Sequence, residues 1–276
     1  GADISGIHRE GFLRVEDKGF KDRLQTAPPN VCCILLTGEE EKTALAIYKK
    51  KDEVLRLVPK SGSRRKKEGI SPRNDKQCLA HDLVMDESLS IITLVGKTGS
   101  GKTLMALLAG AELVRRKKFR KMIVFRSNVE IGEPMGFLPG DISEKFEPWA
   151  KPVTNCLSLA LTGSGRTVVD MFGKGELEIQ PFAYIRGATY MDALVVIDEA
   201  QNLSPHVVKT AVTRIGERSK VVLTGDLAQI DSRYLDSQSN GLAHIIDRFP
   251  GQEIYGHLTL TKSERSNLAE VAARLL

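Results

Sequence analysis

The sequence predicts an α/β fold in which a mostly parallel sheet carries helices on both faces and follows a small β-rich unit. Two observations support this prediction. From residue 71 onwards, short apolar runs typical of buried strands alternate with stretches of helical periodicity. Several of these apolar runs lead directly into polar or charged residues, as expected where parallel strands end at the ligand-binding edge of a sheet.

The N-terminal part of the chain contains three short apolar stretches, at residues 31–36, 45–48 and 54–58. Stretches of this length favour strands, so we predict a small β-rich unit over residues 1–58. Residues 59–70 are rich in Pro, Gly, Ser and basic side chains, and they are predicted to form a basic linker.

The α/β domain is predicted over residues 71–276. Its apolar runs predict strands, and its i, i+3, i+4 patterns predict helices. A glycine-rich stretch at residues 163–175 is predicted to be a loop. The strands are expected at residues 90–95, 122–125, 194–197, 220–223 and 254–260, and the helices at residues 102–117, 205–215 and 266–276.

The composition is typical of a globular protein, because 41% of the residues are hydrophobic and 27% are charged. No apolar run approaches the roughly 18–20 residues of a membrane-spanning helix. The first residues lack the basic and apolar segments of a secretory signal. The four cysteines show no C-x-x-C spacing, so we predict reduced thiols and a cytoplasmic location.

The net charge of +5 is concentrated near the N-terminus, where residues 1–70 contain 15 Lys and Arg against 11 Asp and Glu. Basic clusters lie at residues 60–67 and 115–121. Such clusters attract nucleic acid through its phosphate backbone, although a solvated linker and a solvated helix end are the simpler explanation for them.

A phosphate-binding loop is predicted between the strand at 90–95 and the helix at 102–117. The sequence Gly-Lys-Thr-Gly-Ser-Gly-Lys-Thr there fits G-x-x-x-x-G-K-[ST]. Its glycines let successive N–H groups point at phosphate oxygens, and the helix N-terminus adds positive potential. Lys102 is expected to reach the β- and γ-phosphates, and Thr103 to bind Mg²⁺ through its hydroxyl. The predicted nucleotide-binding residues are Gly96, Lys97, Thr98, Gly99, Ser100, Gly101, Lys102 and Thr103.

Two adjacent carboxylates, Asp198 and Glu199, directly follow the apolar run at 194–197. Taken alone, such a pair favours a solvated turn. If its strand ends beside the phosphate loop, Asp198 is expected to face Mg²⁺, so that its charge is compensated. Glu199 is then expected to polarise the water that attacks the γ-phosphate, as a general base or an orienting group.

A third apolar run ends in Thr224-Gly-Asp-Leu-Ala-Gln229. At the same edge of the sheet, Gln229 is expected to sense the γ-phosphate, with Thr224 or Asp226 in support. A simple turn explains this segment equally well when it is considered alone.

In this order, the motifs resemble the RecA-like P-loop NTPase core of superfamily-1-type helicases. The segment 72–77 resembles the motif whose glutamine, here Gln77, reads the edge of adenine. Phe125-Arg126-Ser-Asn128 stands where such cores place a nucleic-acid-facing motif, and Leu260-Thr-Lys-Ser-Glu-Arg265 resembles a motif that carries an arginine near the nucleotide.

The chain resembles the PhoH-like ATPases still more closely, through the segments 131–140, 144–149 and 256–262 and through Tyr184-Ile-Arg186-Gly. Family members often have arginine where this chain has Ala188. The N-terminal part resembles, less clearly, the connector of longer members that carry a PIN nuclease domain. The sequence contains no PIN domain, and we predict no nuclease activity.

The resemblance implies a Mg²⁺-dependent ATP hydrolase coupled to unwinding of, or translocation on, nucleic acid, with single-stranded RNA preferred over DNA. Arg126 and Arg186 are the implied nucleic-acid contacts, and Tyr184 and Tyr190 either line the same path or pack in the core. The alternatives are a nucleotide-dependent RNA-binding switch or assembly module with low turnover, and a small-molecule kinase.

The motifs describe a single nucleotide-binding lobe, so we expect a homo-oligomeric ring, with a hexamer as one option, in which a neighbouring subunit completes the site. An arginine acting in trans is one way to complete it, although a surface position or a salt bridge is the commoner role for each candidate. Lys102, Asp198, Glu199, Gln229 and Arg265 are the predicted catalytic residues, with Arg265 acting within its own subunit. The trans candidates are Arg186, Arg214, Arg218, Arg233 and Arg265.

Overall fold

The computed structural model describes residues 12–14, 22, 24–36, 43–60, 70–126, 142–185, 187–232 and 234–264, with the backbone alone at 12–14, 36, 142–149 and 183. The strands are β1 Phe12–Arg14, β2 Cys32–Leu36, β3 Thr43–Lys49, β4 Val54–Val58, β5 Ile91–Gly96, β6 Lys121–Arg126, β7 Leu177–Pro181, β8 Ala193–Asp198, β9 Lys220–Gly225 and β10 Tyr255–Leu260. The helices are α1 Asp75–Met85, α2 Lys102–Arg115, α3 Ile142–Leu161, α4 Val168–Gly173, α5 Pro205–Val212 and α6 Gly241–Arg248. Short 3-10 turns lie at Lys50–Asp52, Phe182–Ile185 and Ala200–Asn202.

The strands form two sheets. Strands β1 to β4 make an antiparallel sheet in the order β1-β4-β3-β2. The other six strands make a parallel sheet in the order β10-β5-β9-β8-β6-β7. The predicted α/β class, with a small β-rich unit ahead of the main sheet, is confirmed.

The parallel sheet is covered on both faces. On one face, Leu94 and Val196 pack in a core with residues of α1, α2 and α3. On the other face, Val195 and Ile197 pack with residues of α5 and α6. Every residue of β5, β8 and β9 is buried, which explains why these strands are continuous apolar runs in the sequence.

The predicted strands are present within one or two residues of their expected bounds. Strand β7 was not predicted, because its sequence Leu-Glu-Ile-Gln-Pro is short and half polar. It lies at the edge of the sheet beside β6, where one side of a strand has no strand neighbour and polar residues are tolerated.

Two of the three predicted helices correspond to α2 and α5, and the third, at 266–276, lies outside the described residues. Four helices were missed. Helix α1 buries Gln77, His81 and Asp82, so polar residues on its buried face obscure the periodic pattern. The predicted loop at 163–175 contains helix α4, whose N-terminus is fixed by a capping box between Thr167 and Asp170.

Within the described part of the chain, no helix combines the length and the apolar character needed to cross a membrane.

The small antiparallel sheet contacts the end of the parallel sheet formed by β10. The Asn30 side-chain amide donates hydrogen bonds to the carbonyl oxygens of Glu253 and Tyr255, both at 2.9 Å. Lys49 on β3 donates to Asn30 Oδ1 at 2.9 Å and pairs with Asp86, which follows α1, at 2.6 Å. These polar contacts join the two sheets together with a shared apolar core, in which Leu45 and Ile47 of β3 pack with residues of α1 and β5. Most of the predicted linker, residues 61–69, lies outside the described residues.

Candidate nucleotide-binding site

The glycines of the predicted phosphate loop occupy positions that other residues fit poorly. The loop runs from the end of β5 to the start of α2, with Gly99 at φ 84° and Gly101 at φ 90°, both in the left-handed region. A Cβ atom on Gly101 would lie 2.6 Å from Gln77 Nε2, and one on Gly96 would lie 2.4 Å from the carbonyl oxygen of Leu260. The loop therefore lies tightly against α1 and β10.

The loop presents positive groups without protein partners. Among the described residues, no hydrogen bond uses the backbone N–H of Gly101, Lys102 or Thr103. Lys102 is 6% exposed, and its ammonium group has no described hydrogen-bond or ion-pair partner. Placing a cationic side chain in a buried position is costly unless an anion lies near it. These groups fit the phosphates of a nucleotide.

A hydroxyl and a carboxylate meet beside the loop. Thr103 Oγ1 donates a hydrogen bond to Asp198 Oδ1 at 2.8 Å, and Thr224 Oγ1 donates to the same oxygen at 2.7 Å. The strand order explains this meeting, because β9 lies between β5 and β8 and the carboxyl ends of all three strands lie at one edge. Hydroxyl and carboxylate oxygens are the ligands that Mg²⁺ prefers, so this donor set fits the metal ion.

Glu199 has an unusual backbone for a residue with a side chain. Its φ of 54° and ψ of 42° place it in the left-handed region, where a residue other than glycine is strained. This conformation ends β8 and starts the turn Ala200–Asn202. The half-buried carboxylate accepts a hydrogen bond from Gln201 Nε2 at 2.9 Å.

Gln201 connects Glu199 to the end of β9. The side chain is 1% exposed, and its Nε2 also donates to the carbonyl oxygen of Gln229 at 2.9 Å. Its Oε1 accepts from the Asp226 N–H at 3.2 Å, and a Cβ atom on Gly225 would lie 2.4 Å from that oxygen. This role of Gln201 was not predicted, although a glutamine two residues after a carboxylate pair is a signal that the sequence contains.

The segment after β9 contacts the phosphate loop directly. Asp226 Oδ2 accepts a hydrogen bond from the Thr98 N–H at 3.2 Å, and Asp226 Oδ1 accepts from the Ala228 N–H at 3.0 Å. The Thr98 hydroxyl donates to Gln229 Oε1. Gln229 therefore lies at the loop, as a residue that senses the γ-phosphate must.

Gln77 lies at the first turn of α1, and its contacts are with protein backbone. Its Oε1 accepts from the Arg73 N–H at 2.8 Å, and its Nε2 donates to the Ser100 carbonyl oxygen at 2.9 Å. The side chain is 3% exposed. These contacts support the loop; the adenine contact of Gln77 stays a prediction.

The predicted nucleic-acid residues are only partly described. Arg126 ends β6 in register with Asp198 on β8, and it is half-buried. Tyr190 is 7% exposed and packs edge-on against Phe125 at 5.4 Å between ring centroids, so of its two predicted positions it takes the core. Tyr184 is 59% exposed.

The arginines proposed to act in trans fall into two groups. Arg186, Arg233 and Arg265 lie outside the described residues. Arg214 and Arg218 precede β9, at the edge of the sheet opposite the loop, and Arg218 forms two hydrogen bonds of 2.7 Å with Asp192.

Comparison with known proteins identifies the family. A family model described as PhoH-like protein matches residues 69–275. The chain belongs to the PhoH-like family. Protein PhoH2 of Bacillus subtilis (strain 168) is 44% identical to it over 213 residues, which cover 75% of this chain and 48% of that protein. Protein PhoH of Escherichia coli (strain K12) is 36% identical over 195 residues, which cover 71% of this chain and 54% of that protein.

The PhoH-like chain spans about half the length of the curated relatives it matches. Among solved structures, the large terminase from a thermophilic bacteriophage superposes with a TM-score of 0.52 and 14% identity, over 73% of this chain and 48% of the terminase chain. That likeness concerns the fold alone. Together with the loop geometry, the family match makes the chain a PhoH-like P-loop NTPase; its assignment to the longer, PIN-fused type stays a prediction.

Proposed function

We propose that this PhoH-like chain is a Mg²⁺-dependent ATP hydrolase whose turnover is coupled to moving along or unwinding nucleic acid, RNA in preference to DNA. The observation that carries the proposal is Lys102, a residue only 6% exposed whose ammonium group has no described protein partner, in a loop where the N–H groups of Gly101, Lys102 and Thr103 have none either. This arrangement fits a polyphosphate better than a neutral ligand.

The residues of the loop bind and orient the nucleotide. The N–H groups of Gly101, Lys102 and Thr103 surround the phosphates, and the Lys102 ammonium lies against the β- and γ-phosphate oxygens. Lys97, Thr98, Gly99, Ser100 and Gly96 shape the loop around them. Fixed donors of this kind stabilise charge at low reorganisation cost.

Thr103 and Asp198 are the residues that would hold Mg²⁺. A metal ion held there would neutralise negative charge on the phosphates during hydrolysis. Thr224 holds Asp198 in place through the oxygen that it shares with Thr103.

Glu199 is the proposed general base or orienting group for the attacking water. Gln201 donates a hydrogen bond to its carboxylate and also holds the backbone of Asp226 and Gln229. Any movement of Gln229 in response to the γ-phosphate is therefore transmitted to the carboxylate through one buried amide. Arg265 is the arginine proposed to act in cis in the same reaction.

Coupling to nucleic acid is supported by the excess of positive charge and by the position of Arg126. The net charge is +5, and Arg126 lies at the same edge of the sheet as Asp198, two strands away from β9. Arg186 is the second proposed contact. A homo-oligomeric ring in the cytoplasm is the proposed assembly, because one lobe leaves one side of the nucleotide uncovered.

A nucleotide-dependent RNA switch with low turnover is the second candidate. The position of Arg214 and Arg218 motivates it, because both lie away from the loop and either would have to act on a nucleotide of a neighbouring subunit. In this alternative, hydrolysis is slow until the assembly is complete. Glu199 argues against a purely binding role, because binding alone requires no base.

The test is the steady-state ATPase rate with Mg²⁺, measured with and without single-stranded RNA and DNA, with Lys102→Ala as the control. We expect stimulation by RNA that is lost in Lys102→Ala, and a circular dichroism melt establishes that the variant is folded. A rate that is unaffected by either nucleic acid contradicts the coupling and favours the switch. Activity that persists in Lys102→Ala contradicts the proposed site.

A further inference from the structure

Two hydrogen bonds hold backbone carbonyl groups of the phosphate loop from outside, and both involve residues that are bonded to Asn74 or Glu264. We call these two hydrogen bonds the anchors. The Gly99 carbonyl oxygen accepts a hydrogen bond from the Glu264 N–H at 3.0 Å. The Ser100 carbonyl oxygen accepts one from Gln77 Nε2 at 2.9 Å. Asn74 lies between the two anchors, because its Nδ2 donates to Glu264 Oε1 at 2.8 Å while its Oδ1 accepts from the Gln77 N–H at 2.9 Å.

These anchors determine the direction of the N–H groups inside the loop. A trans peptide unit is planar, with its carbonyl and N–H pointing in opposite directions. The hydrogen bond from Gln77 holds the Ser100 carbonyl so that it points away from the inside of the loop. The Gly101 N–H of the same peptide unit, which has no described partner, therefore points towards the proposed position of the phosphates. Holding the Gly99 carbonyl fixes the preceding peptide, whose Ser100 N–H donates to the Lys97 carbonyl oxygen at 3.0 Å.

Further contacts connect α1 and the phosphate loop to the last residues of β10. Lys76 donates to the Thr259 carbonyl oxygen at 3.0 Å, and the close approach of Gly96 to the Leu260 carbonyl oxygen follows one residue later on the same strand. The hydrogen bond from Asn74 lowers the pKa of the Glu264 carboxyl. The Glu264 side chain therefore accepts as a carboxylate at neutral pH.

We infer that Asn74 and Glu264 are positioning residues for nucleotide binding, and that their hydrogen bond keeps the loop in its phosphate-binding shape. The inference rests on the proposed function of the loop. Neither side chain needs to touch the nucleotide, because both act through the carbonyl groups of Gly99 and Ser100. The backbone at Glu264 is thereby held against the loop.

Exchanging the two partners provides a sharp test. Asn74→Asp keeps the N-cap acceptor for Gln77 but removes the donor and opposes two carboxylates, so we expect ATP affinity to fall about tenfold. Glu264→Gln keeps an acceptor but removes its charge, so we expect a smaller loss of ATP affinity, about two- to threefold. In the double variant the introduced amide donates to the introduced carboxylate at unchanged net charge, and we expect affinity to recover.

A structural defect alone would not produce this pattern. KM for ATP should rise in Asn74→Asp while kcat stays within about twofold, because Asp198 and Glu199 are untouched. Glu253→Ala, a change to an exposed residue just before the opposite end of β10, is the matched control and should bind ATP as the parent does. Unchanged affinity in Asn74→Asp, or a double variant as weak as that single variant, overturns the inference.

Hydrogen exchange of the peptide spanning residues 96–103 tests the same inference without nucleotide. Asn74→Asp should speed exchange there, and the double variant should restore the parent rate. Equal exchange in all three proteins overturns the inference. A parent chain that binds no ATP contradicts the proposed function instead, and the exchange measurement still decides the role of the pair.

Discussion

At the scale of single residues, Glu199 has a strained backbone conformation and a hydrogen bond to the buried side chain of Gln201. Its left-handed backbone is costly for a residue with a side chain, by about 1–3 kcal/mol, and it is maintained because β8 and the following turn are packed on both sides. This conformation changes the direction of the chain and sets the position of the Glu199 carboxylate. The strand ends sharply, and the carboxylate comes within hydrogen-bond distance of Gln201, which fixes it relative to the segment after β9.

Replacing Glu199 with Gln should abolish most hydrolysis while ATP binding is retained. The amide occupies the same volume but cannot accept a proton from water, so we expect turnover to fall about 10²–10⁴-fold. Turnover and ATP affinity are measured in parallel, with Glu217→Gln at an exposed position as the control. Turnover that survives in Glu199→Gln would show that another group activates the water.

At the scale of elements, helices α1 and α2 are joined by a polar pair inside an apolar core. His81 Nε2 on α1 lies 3.4 Å from Glu112 Oε2 on α2, and His81 is 2% exposed. The hydrogen bond with His81, opposed by burial and aided by the charges of His81 and Arg116, lowers the pKa of Glu112 to about 2 from 4.5. The phosphate loop leads into α2 and is bonded to α1 through Gln77, so the packing of these two helices supports the site.

This pair predicts a specific acid sensitivity. A carboxyl whose pKa is lower in the folded state contributes stability above its unfolded pKa and loses it as pH falls through the folded value. The free energy of unfolding should therefore fall between about pH 4.5 and about pH 2. The measurement is urea unfolding across this range for the parent and for Glu112→Gln, whose profile should be flatter; parallel profiles would contradict the role of Glu112.

Several elements were predictable because their own sequences dictate them. The apolar runs of β5, β8 and β9 require burial on both faces, and the loop pattern requires a strand before it and a helix after it. Helix α1 was not predictable, because its buried Gln77 and His81 are stabilised by partners distant in sequence. The same limit applies to the site: the loop and carboxylates are local patterns, whereas the links of Asn74 to Glu264 and of Gln201 to the segment after β9 exist only after folding.

At the scale of the whole molecule, Asn30 is one of the contacts that hold the small antiparallel sheet against the main sheet. Asn30 is 2% exposed. Its backbone φ is 59°, a conformation that asparagine tolerates better than most residues. Its amide satisfies two carbonyl groups at the start of β10 and its oxygen satisfies Lys49. A single residue therefore connects three segments.

Asn30→Ala should lower the free energy of unfolding by about 2–4 kcal/mol, because it removes buried hydrogen bonds and adds backbone strain. Asn30→Gly removes the same hydrogen bonds without that strain, so it should cost about 1 kcal/mol less. Urea unfolding measures both variants. Parent-like stability in both would mean that the small sheet is held by other contacts.

Strand β10 is attached at both of its ends. It is paired with β5 along residues 255–260, and at about 3.3 Å per residue it separates the Asn30 contact from the phosphate-loop contact by roughly 20 Å. A hydrogen-bonded strand resists stretching and compression. We therefore expect a displacement of the small antiparallel sheet to be passed along β10 to the phosphate loop.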